Sequence, residues 1–329
     1  IRFLAIYSSN LSEFFKVRMS NHRHLIRAGK KAKKEVDYEP KEIVKQIQKI
    51  INEQQLEFSK LFEEDMVSEL EDNNIRLLRR MELDAEQQEF VESYFRNHML
   101  PYVQPVLLVK HKIRPFLNND ELYLTVWMKD KEKKHDEYTV AIVKIPSDHL
   151  PRFIELPSER GRHDLIMLDD VVRHNVSFMF PGYDIEDTYS IKLTRDAELY
   201  IDDEFSGDLI EKIKKSLAKR EVGFASRFVY DREMPKPLLD FLKETFDLHR
   251  YDIFPEGRYQ NNFDLFKLPI MGKTYLENPK LPQLPYWQLE RTDDFFGAIE
   301  EKDHMIYMPY HSYDSVIRFF ETAAKDPNV

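Results

Sequence analysis

Basic residues are concentrated in the first 34 positions of this 329-residue sequence. The segment holds nine Lys and Arg residues and a single acid, Glu13, so its formal charge is +8, while the other 295 residues carry −18. A basic block on an acidic body predicts a local polyanion partner, such as a phosphate chain, a nucleotide, nucleic acid or acidic lipid. A solvated basic helix end gives the same pattern, so charge alone leaves both interpretations open.

Asn10, within this segment, has a side chain suited to a phosphate or a base. Its amide can donate hydrogen bonds to phosphate oxygens and accept them from N–H groups. With Glu13 three residues later, Asn10 also fits the N-cap signature of a helix. A helix N-terminus would add free N–H groups for a phosphate, so the two roles are compatible.

Composition excludes several classes of site. The sequence contains no cysteine, which rules out disulfide scaffolds, thiolate zinc sites, iron–sulfur clusters and cysteine nucleophiles. Its eight glycines are nowhere closer than 15 positions, so neither a dinucleotide-binding glycine loop nor a Walker A loop can be present. His22 and His24 would diverge on a helix, and we expect no metal site from them.

Residues 1–100 are predicted to be helical. Apolar residues recur at near-helical spacing over 40–72, and Pro40 suits a first helical turn. Asp84 and Gln87 resemble a capping box that leads into an apolar run. The simplest arrangement is a helical hairpin, joined around 29–39, with a third helix.

After position 100 the pattern changes to a mixture of strands and helices. Strand-like runs and helix-like runs alternate irregularly, which predicts an α+β fold and not a regular βαβ repeat. The predicted strands are 103–109, 122–128, 138–145, 189–193, 227–230 and 305–308. The predicted helices are 169–178, 208–220, 235–246 and 312–324, and three prolines mark an extended linker over 279–285.

Several sequence strings resemble the long-chain polyphosphate kinase family of bacteria, the class that uses a phosphohistidine. The strings follow the family order along essentially the whole chain. They are RFLAIYSSNL at 2–11, SIKLTRDAE at 190–198, RFVY at 227–230, GRYQN at 257–261 and PYHSY at 309–313. The resemblance implies transfer of the terminal phosphate of ATP to a growing polyphosphate chain through a histidine.

The same resemblance implies a domain organisation. We expect a helical N domain over 1–100 that lacks its opening helix, followed by a mixed α/β head domain over 101–285 that is similar to phox-homology folds. Residues 286–329 would be a linker and the start of a phospholipase-D-like catalytic domain. The family's catalytic histidines have a His-x-Lys context, and none of the eleven histidines here is followed two places later by Lys. We therefore expect no catalytic residue in this chain.

The resemblance also implies which residues contact ligands. Asn10 is expected to bind ATP, and Phe3 could line the adenine ring, although a phenylalanine is more often a core residue. Lys192, Arg195 and Arg258 are candidate polyphosphate contacts, because a polyanion must be surrounded by cations and Arg binds phosphate with two donors. Ordinary ion pairs with Asp196, Glu198 or Glu256 are the alternative for these three cations.

The expected partners are ATP or ADP, inorganic polyphosphate and a second copy of the chain paired through the head domain. Magnesium should arrive with ATP, and most of its ligands should belong to domains not seen in this sequence. We expect no nucleic acid partner and a cytoplasmic location, with peripheral contact at the inner membrane face as an option. The alternative functions are a polyanion- or nucleic-acid-binding module that uses residues 1–34, and a structural role in subunit pairing.

Overall fold

The structure is a computed structural model that describes residues 1–28, 38–108, 117–132, 138–195 and 225–327. Contacts divide the chain into two units, Ile1–Met271 and Gly272–Val329. The finer division at positions 100 and 285 stays a prediction. Within the described residues, none of the helices combines the length and the apolar character that crossing a membrane requires.

Amphipathic helices form the first part of the chain. Ala5, Leu11 and Phe15 are buried along one face of the first helix, and Pro40 occupies the first turn of the third, as predicted. A π-helical stretch, Leu61–Met66, joins the third helix to the fourth. The described residues of this part form the helices α1 (Arg2–Lys16), α2 (Arg18–Ala28), α3 (Pro40–Lys60) and α4 (Val67–Asp72).

A short strand within the first 100 residues contradicts the prediction that this region is helical throughout. The strand β1 (Ile75–Leu78) pairs in parallel with His163–Met167, and that strand pairs antiparallel with Phe153–Leu156. Leu70 and Ile75 pack against Leu165. The resulting three-stranded sheet joins the N-terminal helices to the middle of the chain.

The predicted capping box at Asp84 is confirmed. The Asp84 carboxylate accepts a 2.9 Å hydrogen bond from the Gln87 backbone N–H, and the Gln87 amide oxygen accepts one of 3.3 Å in return. These bonds start α5 (Ala85–Tyr94), which continues as a π-helical stretch, Phe95–Met99, and a 3-10 turn, Leu100–Tyr102.

A six-stranded sheet forms the centre of the first unit. Its order is β2-β4-β3-β7-β8-β9, with antiparallel neighbours except for the parallel β8 and β9. These strands are β2 (Pro105–Leu108), β3 (Leu122–Asp130), β4 (Tyr138–Lys144), β7 (Tyr183–Arg195), β8 (Ala225–Asp231) and β9 (Ile253–Glu256). The smaller sheet contains β1, β5 (Phe153–Leu156) and β6 (His163–Met167). The described residues of the unit also form the helices α6 (Leu168–His174), α7 (Val176–Met179) and α8 (Lys236–Phe246).

The two faces of strand β7 differ in chemistry. Tyr189, Ile191 and Leu193 share an apolar cluster with α8. Because side chains alternate along a strand, the residues between them point to the opposite face. Those residues, Ser190 and Lys192 among them, are polar and nevertheless buried. Buried polar groups need partners, so this face is where a functional site is expected.

The second unit is built from short helices. They are a 3-10 turn, Thr274–Leu276, then α9 (Trp287–Glu290), α10 (Phe295–Glu301) and α11 (Asp314–Ala323). The prediction of the last helix is confirmed, but the strand predicted at 305–308 is wrong. Those residues have no regular structure, and Met305 and Tyr307 are exposed. The described part of the unit offers them no strand to pair with, and its one β-bridge joins Leu284 to His311.

Helices packed with mixed sheets confirm the α+β class. The likeness to phox-homology folds stays a prediction. The helix predicted at 208–220 lies outside the described residues, as does most of the loop predicted around 29–39.

Candidate functional site

Asn10 lies in the middle of α1 and not at its start. The helix begins at Arg2, with Ile1 as its N-cap residue, so the N-cap interpretation of Asn10 and Glu13 is wrong. The helix extends upstream because apolar residues keep helical spacing from the first residues of the chain. Asn10 can therefore contact a ligand with its exposed side-chain amide. The free backbone N–H groups of the helix lie in its first turn, which begins at Arg2, and not near Asn10.

Phe3 is 84% exposed, which contradicts the alternative that it is a core residue. Phe3, Ile6, Asn10 and Glu13 are spaced by three or four residues and all are exposed, so they form one stripe along α1, here called the α1 stripe. An aromatic ring, an aliphatic side chain and an amide thus share one solvent-facing surface. Such a surface can stack on a planar base and hydrogen-bond to its edge.

A pocket of about 230 Å³ lies beside the α1 stripe, and we call it the Lys192 pocket. Helix α1 lines it with Ser9, Ser12, Glu13 and Lys16, and Lys192 reaches it from strand β7. The rest of the lining is Asp120 from the turn before β3, Asn261 from the loop after β9, and Phe263 from the 3-10 helix that follows this loop.

Lys192 is buried, with 6% of its surface exposed. Its Nζ donates a 2.8 Å hydrogen bond to Asn261 Oδ1 and lies 3.6 Å from an oxygen of Asp120. Burial lowers the pKa of Lys192, although Asp120 and Glu256 favour the charged form; Arg227 adds to the lowering. Lys192, which the sequence resemblance suggested as a polyphosphate contact, is therefore a buried lysine that borders a pocket.

Asp120 is shared between two ammonium groups. Lys16 Nζ lies 2.6 Å from one carboxylate oxygen, and Lys192 lies near the other. Burial alone would raise the pKa of Asp120, but Lys192, Lys16 and the hydroxyl of Thr194 outweigh it and hold the pKa below its ordinary value. Asp120 thus stays ionised and keeps two lysines of distant sequence position together.

Asn261 accepts the hydrogen bond of Lys192 from a fixed loop position. Its backbone is in the left-handed region, with φ of 60°, and its amide nitrogen donates a 2.9 Å hydrogen bond to Asp264. Asparagine is among the few residues other than glycine that adopt this conformation readily. A 3-10 helix, Asn262–Lys267, follows and packs against α1.

Arg258 and Arg195 do not line the Lys192 pocket in the described part of the chain. Arg258 pairs with Asp170 at 3.4 Å, whereas its expected partner Glu256 pairs with Arg227. The Arg195 guanidinium donates two hydrogen bonds, of 3.1 and 3.3 Å, to the Leu117 carbonyl. Asp196 and Glu198 lie outside the described residues. The structure therefore brings Lys192, and neither arginine, to the pocket.

A buried charge network that sequence reasoning missed fixes the loop that carries Asn261. Asp170 lies between Arg258 and the fully buried Arg173 and accepts a hydrogen bond from the Tyr259 hydroxyl. The Ser190 hydroxyl donates a 2.7 Å bond to the Arg258 carbonyl. Burial lowers the pKa of Arg173, against the attraction of Asp170. The sequence contained one sign of this network, since Asp169 and Asp170 are adjacent acids within an apolar run.

The basic N-terminal segment is partly neutralised by the fold. Arg23 is 4% exposed, pairs with Asp252 at 2.8 Å and donates to the Tyr251 carbonyl. Lys16 pairs with Asp120, and the lysines at 30–34 lie outside the described residues. Among the residues that the structure covers, no three histidine or acidic side chains group closely enough to hold a metal ion.

Comparison with protein families gives three matches in chain order. Residues 1–78 match the polyphosphate kinase N-terminal domain, 86–268 the polyphosphate kinase middle domain, and 294–329 the polyphosphate kinase C-terminal domain 1. The middle-domain match alone covers more than half of the chain.

Individual relatives agree with these matches. The polyphosphate kinases of Salmonella typhimurium and Vibrio parahaemolyticus are 35% and 33% identical to this chain over all of its length. The crystal structure of polyphosphate kinase from Porphyromonas gingivalis superposes with a TM-score of 0.78 at 29% identity, covering 99% of this chain and 45% of that one. The chain spans about half the length of the curated relatives it matches, 48% and 47% for these two.

Proposed function

Because this chain belongs to the polyphosphate kinase family, we propose that it forms the nucleotide-contacting part of an enzyme that transfers the terminal phosphate of ATP to inorganic polyphosphate. The observation that carries the proposal is the α1 stripe. It presents Phe3 and Asn10 to solvent on one face of a helix, where an aromatic ring can stack on a purine and an amide can hydrogen-bond to the nucleotide.

The two residues have different tasks. The Phe3 ring stacks on the adenine, an interaction that contributes about 1–3 kcal/mol in proteins that bind bases this way. The Asn10 amide, two turns further along, donates to a polar atom of the nucleotide and accepts from another. Ile6 lies between them and covers the apolar side of the ligand.

The covalent chemistry belongs to other residues than these. In the family reaction a histidine takes the phosphoryl group, ADP leaves, and the polymer end then accepts the group from the histidine. None of the histidines here has the His-x-Lys context, so the chain supplies positioning and charge, which are the main contributions a protein makes to phosphoryl transfer. Magnesium enters bound to the phosphates of ATP, as is usual at sites that transfer phosphoryl groups.

Subunit pairing and location are part of the same proposal. Among the described strands, β2 lies at the edge of the six-stranded sheet, and its residues Val106 and Leu107 are exposed, which supports pairing of two copies through this region. A cytoplasmic location suits an enzyme that consumes ATP and a chain without cysteine. The alternative of a polyanion-binding module loses one of its cations, because Arg23 is buried in an ion pair with Asp252.

Saturation-transfer NMR on the full chain with magnesium-ATP tests the proposal, because this method detects even weak contacts. We expect transfer to the adenine protons in the wild type, a loss in Phe3→Ala and a clear reduction in Asn10→Ala. Asn97→Ala is the matched control, since Asn97 is also exposed and its amide contacts Ser93 away from α1. Equal transfer in the wild type and both α1 variants, or none in the wild type, would overturn the assignment.

A further inference from the structure

We infer that the Lys192 pocket is a binding site for a phosphoryl group, held by Lys192, Lys16 and the hydroxyls of Ser9 and Ser12. This inference rests on the proposed function only for the identity of the phosphate donor. Its chemistry follows from the side chains that line the pocket.

The hydrogen bonding of Lys192 is incomplete. An ammonium group has three N–H donors, and burying it is costly unless it is paired and hydrogen-bonded. Asn261 accepts one hydrogen bond, and the Asp120 oxygen, at 3.6 Å, is beyond hydrogen-bond distance. The Lys192 ammonium group, which is buried and borders the pocket, can therefore donate further hydrogen bonds. An oxyanion in the pocket would supply the missing acceptor.

The charges around the pocket favour an anion over a cation. Two ammonium groups, Lys16 and Lys192, share the single carboxylate of Asp120, so this inner group carries a net positive charge. Glu13, the other acid that lines the pocket, is exposed, so water screens its charge. The two lysines would repel a metal ion. A phosphate would instead neutralise their positive charge, as Asp120 does in part.

Helix α1 adds neutral donors in the right arrangement. Ser9, Ser12 and Lys16 are spaced by three and four residues, so they lie on one side of the helix and turn toward the same pocket. Hydroxyl donors together with an ammonium group are typical partners of phosphate oxygens. The pocket volume of about 230 Å³ admits a phosphate group with associated water.

The site is separate from the base-contacting end of the α1 stripe. Thirteen residues separate Phe3 from Lys16, which corresponds to about 20 Å along the helix axis. The phosphoryl group can therefore come from a nucleotide that extends along the helix or from a polyphosphate chain that passes beside it. A nucleotide and a polyphosphate chain would both present phosphate oxygens to the pocket. Only binding of the nucleotide would depend on the contact between Phe3 and the base.

Calorimetric titration of the full chain with tripolyphosphate at constant ionic strength tests the site. We expect Lys192→Met to weaken binding at least tenfold. The double variant Ser9→Ala/Ser12→Ala should weaken it severalfold and keeps the buried Lys192–Asn261 bond in place. Lys131→Met is the matched control, because Lys131 pairs with Asp184 at an exposed position away from this pocket and should bind as the wild type does.

Competition separates the two sources and the two proposals. If ATP displaces tripolyphosphate from the wild type but not from Phe3→Ala, the bound phosphate belongs to the nucleotide; if ATP does not displace it, the site serves the polymer. If the wild type binds tripolyphosphate but shows no saturation transfer to the adenine protons of ATP, only the proposed nucleotide contact is contradicted. Tripolyphosphate binding that is absent from the wild type, or equal in the wild type, Lys192→Met and the serine variant, would overturn the phosphoryl site.

Discussion

Lys192 and Asn261 lie 69 positions apart in the sequence and are joined by a 2.8 Å hydrogen bond from the lysine ammonium to the asparagine amide oxygen. The bond connects the central strand β7 to the loop that precedes the 3-10 helix packed on α1. It places a buried cation next to the helix that carries Asn10. The proposed phosphoryl site depends on this connection.

The backbone conformation of Asn261 gives a prediction about stability. Asn261→Gly and Asn261→Ala both remove the acceptor of Lys192, but alanine must also adopt a left-handed conformation at a cost of about 1 kcal/mol. We expect the alanine variant to be less stable than the glycine variant by about that amount. Chemical denaturation with matched m-values measures the difference, and equal stabilities would show that φ at 261 is not fixed as described.

Asp164 gives a prediction about acid stability. It is fully buried and accepts two hydrogen bonds from Arg76, two from Arg162 and one from Gln87. Burial alone would raise the pKa of Asp164, but these donors outweigh it and hold the pKa below its ordinary value. We expect Asp164→Asn to lower the free energy of unfolding by about 2–3 kcal/mol at pH 7.

The pH dependence of this loss has a definite sign. A carboxyl with a depressed native pKa contributes fully above its unfolded pKa of about 3.9, and the contribution disappears as the pH falls toward the native value. The difference between wild type and Asp164→Asn should therefore shrink between pH 4 and the acid limit of the fold. Denaturation at a series of pH values measures it, and a difference independent of pH would contradict the ionised state assigned to Asp164.

The buried network around Asp170 gives a third prediction. Replacing Asp170 by Asn leaves the fully buried Arg173 without its nearby carboxylate, and breaking a buried pair in this way costs about 3–5 kcal/mol. Tyr259→Phe removes one hydrogen bond to the same carboxylate and should cost about 1–2 kcal/mol. Thermal and chemical unfolding rank the two variants, and the reverse order would show that Arg173 is compensated elsewhere.

The pairing of β1 with β6 predicts that residues 1–78 do not fold alone. Without β6 the strand Ile75–Leu78 has no partner, and Phe15 loses the ring of Phe254, whose centre lies 4.6 Å away. We expect no cooperative thermal transition by circular dichroism for 1–78. A chain that ends at Met271 retains every strand of both sheets and should unfold cooperatively, so a cooperative transition in 1–78 alone would disprove the dependence.

The sequence allowed much of the fold to be predicted, and the failures have identifiable causes. The Asp84 capping box and the helix after Pro40 were predicted correctly because their signals are local. Strand β1 was missed, because four residues show too little alternation and its partner β6 lies far along the chain. The alternative interpretation of Asn10 as an N-cap residue was wrong, because its motif is ambiguous without knowledge of where the helix begins.

The functional side chains show the same division. Lys192 was selected from a sequence string, but its burial and its partner Asn261 depend on tertiary contacts that no short window contains. Arg195 and Arg258 were selected on the same grounds, and their guanidinium groups instead hold Leu117 and Asp170. Residue type indicated cationic chemistry in all three cases, and only packing decided which of them borders the Lys192 pocket.

The parallel alignment of Ile75 with His163 has a consequence during synthesis. The ribosome must add 88 further residues before β1 can meet its neighbour, which takes roughly 4 to 18 seconds at typical elongation rates. Helices form in microseconds, so the nascent N-terminal helices wait with an unpaired strand and apolar side chains in water. The emerging polypeptide is thus most exposed to chaperones and to aggregation before β6 leaves the exit tunnel.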